Sequence, residues 1–148
     1  MISNGIDIVK IERFNNIKEK KTLLKNIFNE SEIEYIKKVN YKANTVAGLF
    51  AAKEAVLKAI KKGIDSYSLK DIEISHNEDN APFIILHNSL KELYNENNFS
   101  VSISHDGDYS VSVVSYLAWV LTYLSYAKFH SLYFSSLRWS SSIFKLFR

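Results

Sequence analysis

At 148 residues the chain has the length of one domain, enough to bury a working core without a metal or disulfide staple. It has no cysteine, which excludes disulfide frameworks, thiolate zinc sites and cysteine nucleophiles together. The formal charge of +3 does not point to nucleic acid, because residues 116–148 hold four basic residues and no acid, leaving 15 basic against 16 acidic residues over 1–115. Near the start, Asp7, Glu12 and Arg13 interrupt any basic-then-apolar signal pattern, so the expected compartment is the cytoplasm.

In chain order, Ile2 to Ile11 begins as a strand with Ile6 and Ile8 on one face and Asp7 and Val9 on the other. Glu12 to Lys25 is rich in Lys and Glu without Gly or Pro and is expected to be helical. Asn29-Glu30-Ser31-Glu32 can cap a second short helix through Lys38. Asn44 or Thr45 can cap a long helix to about Lys62, with Gly63 as its stop. Ser68 to Ser75 and Pro82 to His87 are expected strands around a polar turn, and Asn88 can cap a short helix through Glu96. Ser100 to Ser104 and Tyr109 to Val114 alternate strictly, which predicts a hairpin whose four-residue turn is His105-Asp106-Gly107-Asp108. A strand, then helices, then a run of strands defines an α+β unit over 1–115.

Residues 116–148 differ in kind. They hold 10 of the chain's 20 aromatic residues, including Trp119 and Trp139, together with serine runs. We treat them as a separate aromatic, basic tail. Tyr116 to Ala127 is apolar but too short for a full membrane span, so the tail could lie on a membrane surface or be an accidental extension of the reading frame.

Few residues stand out chemically. Asp7 lies in an apolar strand, where it is a strand-end residue facing water, a carboxylate paired with a buried lysine, or a metal ligand. In the long helix Val46, Phe50, Leu57 and Ile60 form an apolar stripe that contains Lys53. Glu54 and Lys58 stack four apart on a neighbouring face, as an ordinary solvated pair or as a cation ligand beside a phosphate-binding lysine. His105 ends an alternating strand and opens a polar turn, where a capping or hydrogen-bonding role and a catalytic one are both open. No glycine-rich phosphate loop is present, so a bound nucleotide would be held by side chains and a metal.

Taken in order, Gly5-Ile6-Asp7-Ile8-Val9, Phe50-Ala51-Ala52-Lys53-Glu54-Ala55 with Lys58, and Ser102-Ile103-Ser104-His105 with Tyr109 resemble the holo-(acyl carrier protein) synthase family of 4′-phosphopantetheinyl transferases. The resemblance covers residues 1 to about 115. It implies an antiparallel sheet packed with a long helix, and transfer of the 4′-phosphopantetheine arm of coenzyme A to a serine of acyl carrier protein in fatty acid biosynthesis. Adenosine 3′,5′-bisphosphate would be released. It further implies Asp7 and Glu54 as Mg²⁺ ligands, Lys58 on the phosphates and His105 beside the nucleotide. All of Asp7, Glu54 and Lys58 would then belong to the catalytic set, and a metal-associated water is the expected acceptor of the serine proton. Arg13 is the implied contact for the acidic carrier, within a basic stretch of residues 10–25. A homotrimer with sites between subunits is implied too, with Asp7 and His105 from one chain and Glu54 from the next. Two positions depart from the family pattern: Leu49 replaces a common arginine, and Asn80-Ala81-Pro82 replaces a Gly-Lys-Pro turn. A second reading is therefore a non-catalytic coenzyme A or carrier-protein binding module with a membrane-surface tail.

Overall fold

Strand β1, Ile2–Lys10, opens a computed structural model that describes residues 1–63 and 66–117. Its alternation turns Gly5, Asp7 and Val9 inward and leaves Ile2, Ile6 and Ile8 exposed. The readings of residues 116–148 as a tail concern mostly positions 118–148, which lie outside the described residues.

The expected helix from Glu12 to Lys25 is replaced by a 3-10 turn at Ile11–Phe14, irregular turns, and helix α1 at Lys21–Ile27. Asn16 adopts a left-handed φ of 59°, and the chain bends so that Phe14 and Ile17 enter the core at 3% and 1% exposure. The energies favour this outcome. Helix propensities differ by only tenths of a kcal/mol per residue, whereas burying Phe14 and Ile17 is worth about 1.5–3 kcal/mol each.

Helix α2, Glu30–Lys38, starts as expected. Asn29 Oδ1 accepts from Glu32 N at 3.0 Å, and Glu32 Oε2 accepts from Asn29 N at 3.0 Å, a reciprocal capping box. Helix α3, Ala43–Ala59, begins without a side-chain cap and ends earlier than the Lys62–Gly63 stop. Lys61, not Gly63, takes the left-handed conformation (φ 59°), and Lys62 N closes the end by donating to Leu57 O at 2.9 Å. The expected apolar stripe is too narrow a description of this helix: Val46 to Ala52 are buried without interruption, because β-strands cover one side of α3 and other elements the rest.

The remaining elements are β2 (Ile72–His76), β3 (Pro82–Leu86), α4 (Asn88–Leu93), β4 (Phe99–Asp106) and β5 (Tyr109–Leu117). The β2–β3 hairpin forms one two-stranded sheet, and β1-β5-β4 forms a three-stranded antiparallel sheet whose inner face carries α3. β5 runs two residues past Ser115. Tyr116 pairs with Ser3 and Phe99, and its ring stacks on Phe99 at 4.5 Å, so it belongs to the core. The β4–β5 turn is also tighter than expected, since His105 pairs with Ser110 and Asp106 with Tyr109, leaving Gly107 (φ 53°) and Asp108 as the turn. His105 is thus a ladder residue, not a turn residue.

Gly5 sets the distance between β1 and α3. A Cβ there would lie 2.0 Å from Ala55 O and 2.6 Å from Ala59 N, both rigid backbone atoms. Gly5→Ala should therefore force the strand off the helix and cost about 1–3 kcal/mol, measured by urea unfolding. An unchanged midpoint would show that the contact is looser than described. Among the described residues no helix is long and apolar enough to cross a membrane.

Candidate active site

The close approach at Gly5 brings the next inward residue of β1, Asp7, against the side of α3 that carries Glu54 and Lys58. Lys58 Nζ donates to Asp7 Oδ1 at 2.8 Å and to Ile6 O at 3.0 Å. Asp7 is largely covered while Lys58 is half exposed, so the ammonium spans from solvent onto the carboxylate. Glu54 stands one turn before Lys58. Its carboxyl is pushed above its ordinary value of 4.5, first by burial and then by the charge of Asp7, with Lys58 and Arg13 opposing.

Glu54 Oε1 is buried and has no hydrogen-bond partner among the described residues. An unpaired carboxylate oxygen beside a second carboxylate is costly unless a cation completes it. Two carboxylates are few for an all-protein cage, and no group of three or more His, Asp or Glu side chains suited to a metal occurs among the described residues. Magnesium, however, is commonly held by one or two carboxylates, with water and substrate phosphate supplying the other ligands. The donor set at Asp7 and Glu54 fits such an ion.

Arg13 occupies the 3-10 turn after β1, not a helix, and its guanidinium lies 5.3 Å from the centre of the Phe50 ring. The basic residues of 10–25 do not form one helical face. Lys10 pairs with Glu12 at 3.5 Å and Lys18 sits over the Tyr41 ring. Arg13 stands apart because its charge reaches Glu54.

His105 lies elsewhere. It shares the inner sheet face with Asp7 but sits on the far edge strand, with β5 between them, so their strands are about 10 Å apart. This divides the residues differently from the expected arrangement. Asp7, Glu54 and Lys58 come together within one chain, and His105 is the one set apart, because Gly5 docks β1 on α3 while the two-residue turn holds His105 on β4. Around His105 an open cleft of about 270 Å³ is lined by Tyr35, Asn44, Thr45, His76 and Asn80, among others. Gly48 forms part of its floor, where a Cβ would come within 2.9 Å of Ile103 Cγ2. Ser110 Oγ donates to Asn44 O at 3.1 Å and fixes the start of α3 beside it. Sequence reasoning singled out none of Tyr35, Asn44, Thr45 or His76 as a site residue; the only available signal was their proximity to α3 and the polar turn.

Lys53, within the same helical motif, has a different task. Fully buried, its ammonium donates to Glu32 Oε2 at 2.6 Å, to Leu69 O at 3.0 Å and to Ile72 O. Three acceptors for three donors require the charged amine, although burial pushes the Lys53 amine down and the Glu32 carboxyl up. Glu32 Oε1 accepts from Ile74 N at 3.0 Å, so the pair joins α2, α3 and β2. It supports the site without facing it.

A carboxylate pair with an adjoining lysine thus lies where α3 docks against β1 of the three-stranded sheet, a donor set chemically suited to a hard cation and to phosphate. Comparison with known proteins gives the family. Residues 3–114 match the family model described as the 4′-phosphopantetheinyl transferase superfamily. A holo-[acyl-carrier-protein] synthase from Caldicellulosiruptor saccharolyticus is 45% identical over 116 residues, covering 76% of this chain and 94% of the relative. The Helicobacter pylori holo-[acyl-carrier-protein] synthase, solved in complex with coenzyme A, superposes with a TM-score of 0.65 at 39% identity over 77% of this chain and 97% of that one. The Neisseria meningitidis enzyme gives a TM-score of 0.70 at 27% identity, over 79% and 99%. The chain belongs to the 4′-phosphopantetheinyl transferase superfamily and, within it, to the holo-(acyl carrier protein) synthase family.

Proposed function

We propose that this enzyme transfers 4′-phosphopantetheine from coenzyme A to a serine of acyl carrier protein, with Mg²⁺ held by Asp7 and Glu54, in a cytoplasmic pathway of fatty acid synthesis. The observation that carries the reading is the orphaned, buried Oε1 of Glu54 beside Asp7 and Lys58, in a member of this family. In the reaction the carrier serine oxygen bonds to the phosphorus that bears the pantetheine arm. The bond from that phosphorus to the nucleotide oxygen breaks, releasing adenosine 3′,5′-bisphosphate, and the serine proton passes to a base. The magnesium ion, when bound, supplies Lewis-acid neutralisation of the pyrophosphate oxygens.

The chain's own residues supply position and charge. Asp7 is held in place by Lys58, and Lys58, with two of its three N–H groups on Ile6 O and Asp7 Oδ1, keeps one donor for a phosphate oxygen. Arg13, exposed beside Glu54, offers a cation to an acidic carrier at the point where its serine must arrive. His105, remote from this centre within one chain, serves nucleotide binding if a second copy brings it across. The outer sheet face supports association in a homotrimer: Ile2, Ile6, Ile8 and Val113 are exposed together at 41–68%.

The test is direct. Full-length protein incubated with apo-carrier, coenzyme A and Mg²⁺ should add one phosphopantetheine mass to each carrier, read by intact-protein mass spectrometry. Folded, coenzyme A-binding protein that leaves the carrier unmodified in the presence of Mg²⁺ would sink the transferase reading and favour a binding module.

A further inference from the structure

The outer face of the three-stranded sheet is apolar along β1 and β5. Ile2, Ile6 and Ile8 on β1 are 61–68% exposed, and Val113 on β5 is 41% exposed. Alternation puts Asn4 on the same face, between Ile2 and Ile6, and it too is exposed. Its cross-strand neighbour is Ser115, whose Oγ donates to Asn4 Oδ1 at 2.8 Å. Val113 and Leu117 are the diagonal neighbours on β5. Along both strands, therefore, apolar side chains flank one polar pair. Across the sheet its row ends on Ser100 of β4, where Ser102 and Ser104 continue the exposed positions and the apolar surface stops.

Covering this face takes the pair out of water. Ser115 gives its proton to Asn4, but the two N–H groups of the Asn4 carboxamide must then find acceptors, because a buried amide donor left unpaired is costly. Lipid tails and apolar side chains offer none. A second copy of this chain offers one, since the carboxamide oxygen has two lone pairs and Ser115 takes only one of them. In a closed ring of copies each amide donates an N–H to the next and accepts one from the copy before. That self-matching polar group, set in an apolar face, selects another copy of the chain as the occupant.

We propose that Asn4 fixes the register and number of copies in the oligomer, by bonding through its carboxamide to the same carboxamide in the neighbouring copies. The proposal rests on the homotrimer of the proposed function and names the residue that enforces it. A single polar residue in an apolar interface can specify register and copy number at some cost in stability. Sliding one copy by two residues along β1 brings Ile2 or Ile6 against the neighbour's amide and leaves its N–H groups unpaired. Two residues of strand span about 7 Å, enough to carry any group that a neighbour contributes out of reach of Asp7 and Glu54. The polar pair on the outer face thus acts on the site through the inner one.

The experiment is sedimentation velocity with native mass spectrometry on the full-length protein and two variants. The unaltered protein should form one species of three chains. Asn4→Asp keeps the side-chain shape and the acceptor for Ser115 but has no N–H to donate and gathers like charges. The concentration at which it half-dissociates should rise by at least about tenfold, the scale of one hydrogen bond between copies. Asn4→Val removes the polar group and leaves the apolar face, so its copies should still associate, now as a mixture of sizes. Asn4→Val that stays one three-chain species, or Asn4→Asp that dissociates no more readily than the parent, overturns the role of Asn4. An unaltered protein that stays a single chain overturns it together with the homotrimer, and needs no variant, so a folding defect does not shield the proposal. Carrier modification in the same samples reads the transferase separately: three-chain protein without transfer sinks that reading and leaves Asn4 in place.

Discussion

Glu54→Gln is expected to lower phosphopantetheine transfer by about 100- to 1,000-fold while leaving the fold intact. The substitution keeps the shape of the side chain and replaces one of the two carboxylates of the proposed cation site by a neutral amide. The charge clamp on a breaking phosphoanhydride is worth several kcal/mol, and each 1.36 kcal/mol is a factor of ten in rate. Asp7→Ala should lose at least as much, because it also releases Lys58. A second readout separates ligand loss from general damage. Without metal, Glu54 ionises against burial and against Asp7, so its folded value lies above 4.5 and the folded state holds the proton more tightly than the unfolded one. Its contribution to stability therefore falls as pH rises from 4.5 through that raised value, and metal-free Glu54→Gln should be no less stable than the parent at pH 7. Mg²⁺ added to the coenzyme A-saturated protein should raise the unfolding midpoint of the parent further and not that of the variant. Near-parental turnover in both Asp7→Ala and Glu54→Gln would remove the ligand assignment.

Lys53→Met should destabilise the protein by about 3–5 kcal/mol, the cost of leaving a buried carboxylate without its cation. The methionine fills most of the volume, so the loss is electrostatic: Glu32 keeps two backbone amides but no counter-charge, and the carbonyls of Leu69 and Ile72 lose their donor. Natural domains have only about 5–15 kcal/mol to lose, so the variant is expected near the edge of folding. Lys53→Met with Glu32→Leu should recover part of that loss, since an apolar pair of similar volume removes the unpaired charge. Far-UV circular dichroism in urea is the suitable probe, because both tryptophans, Trp119 and Trp139, lie beyond Leu117. Additive effects of the two substitutions would show that the pair is not coupled.

Much of the local structure was legible from residue order. Alternation placed Ile6 and Ile8 opposite Asp7 and Val9, and Asn29 with Glu32 announced the start of α2, because both signals act within a few residues. Lys53 in an apolar stripe signalled a buried charge. Its partner was hidden, since Glu32 lies 21 positions away and reads locally as a cap. The helix expected from Glu12 to Lys25 failed for a related reason: periodicity and propensity report local preference, and the core's demand for Phe14 and Ile17 outweighed it.

The order of predicted strands and helices determined the α+β class, and the order of three short motifs determined the family and which side chains to watch. Tertiary structure decided how those side chains are shared out. Asp7 joins Glu54 and Lys58 in one chain because Gly5 has no Cβ to hold β1 away from α3. His105 is kept from them by the width of one strand, and it lines a cleft together with His76, which no motif contains. Distances between residues far apart in sequence are set by packing, and no local pattern encodes them.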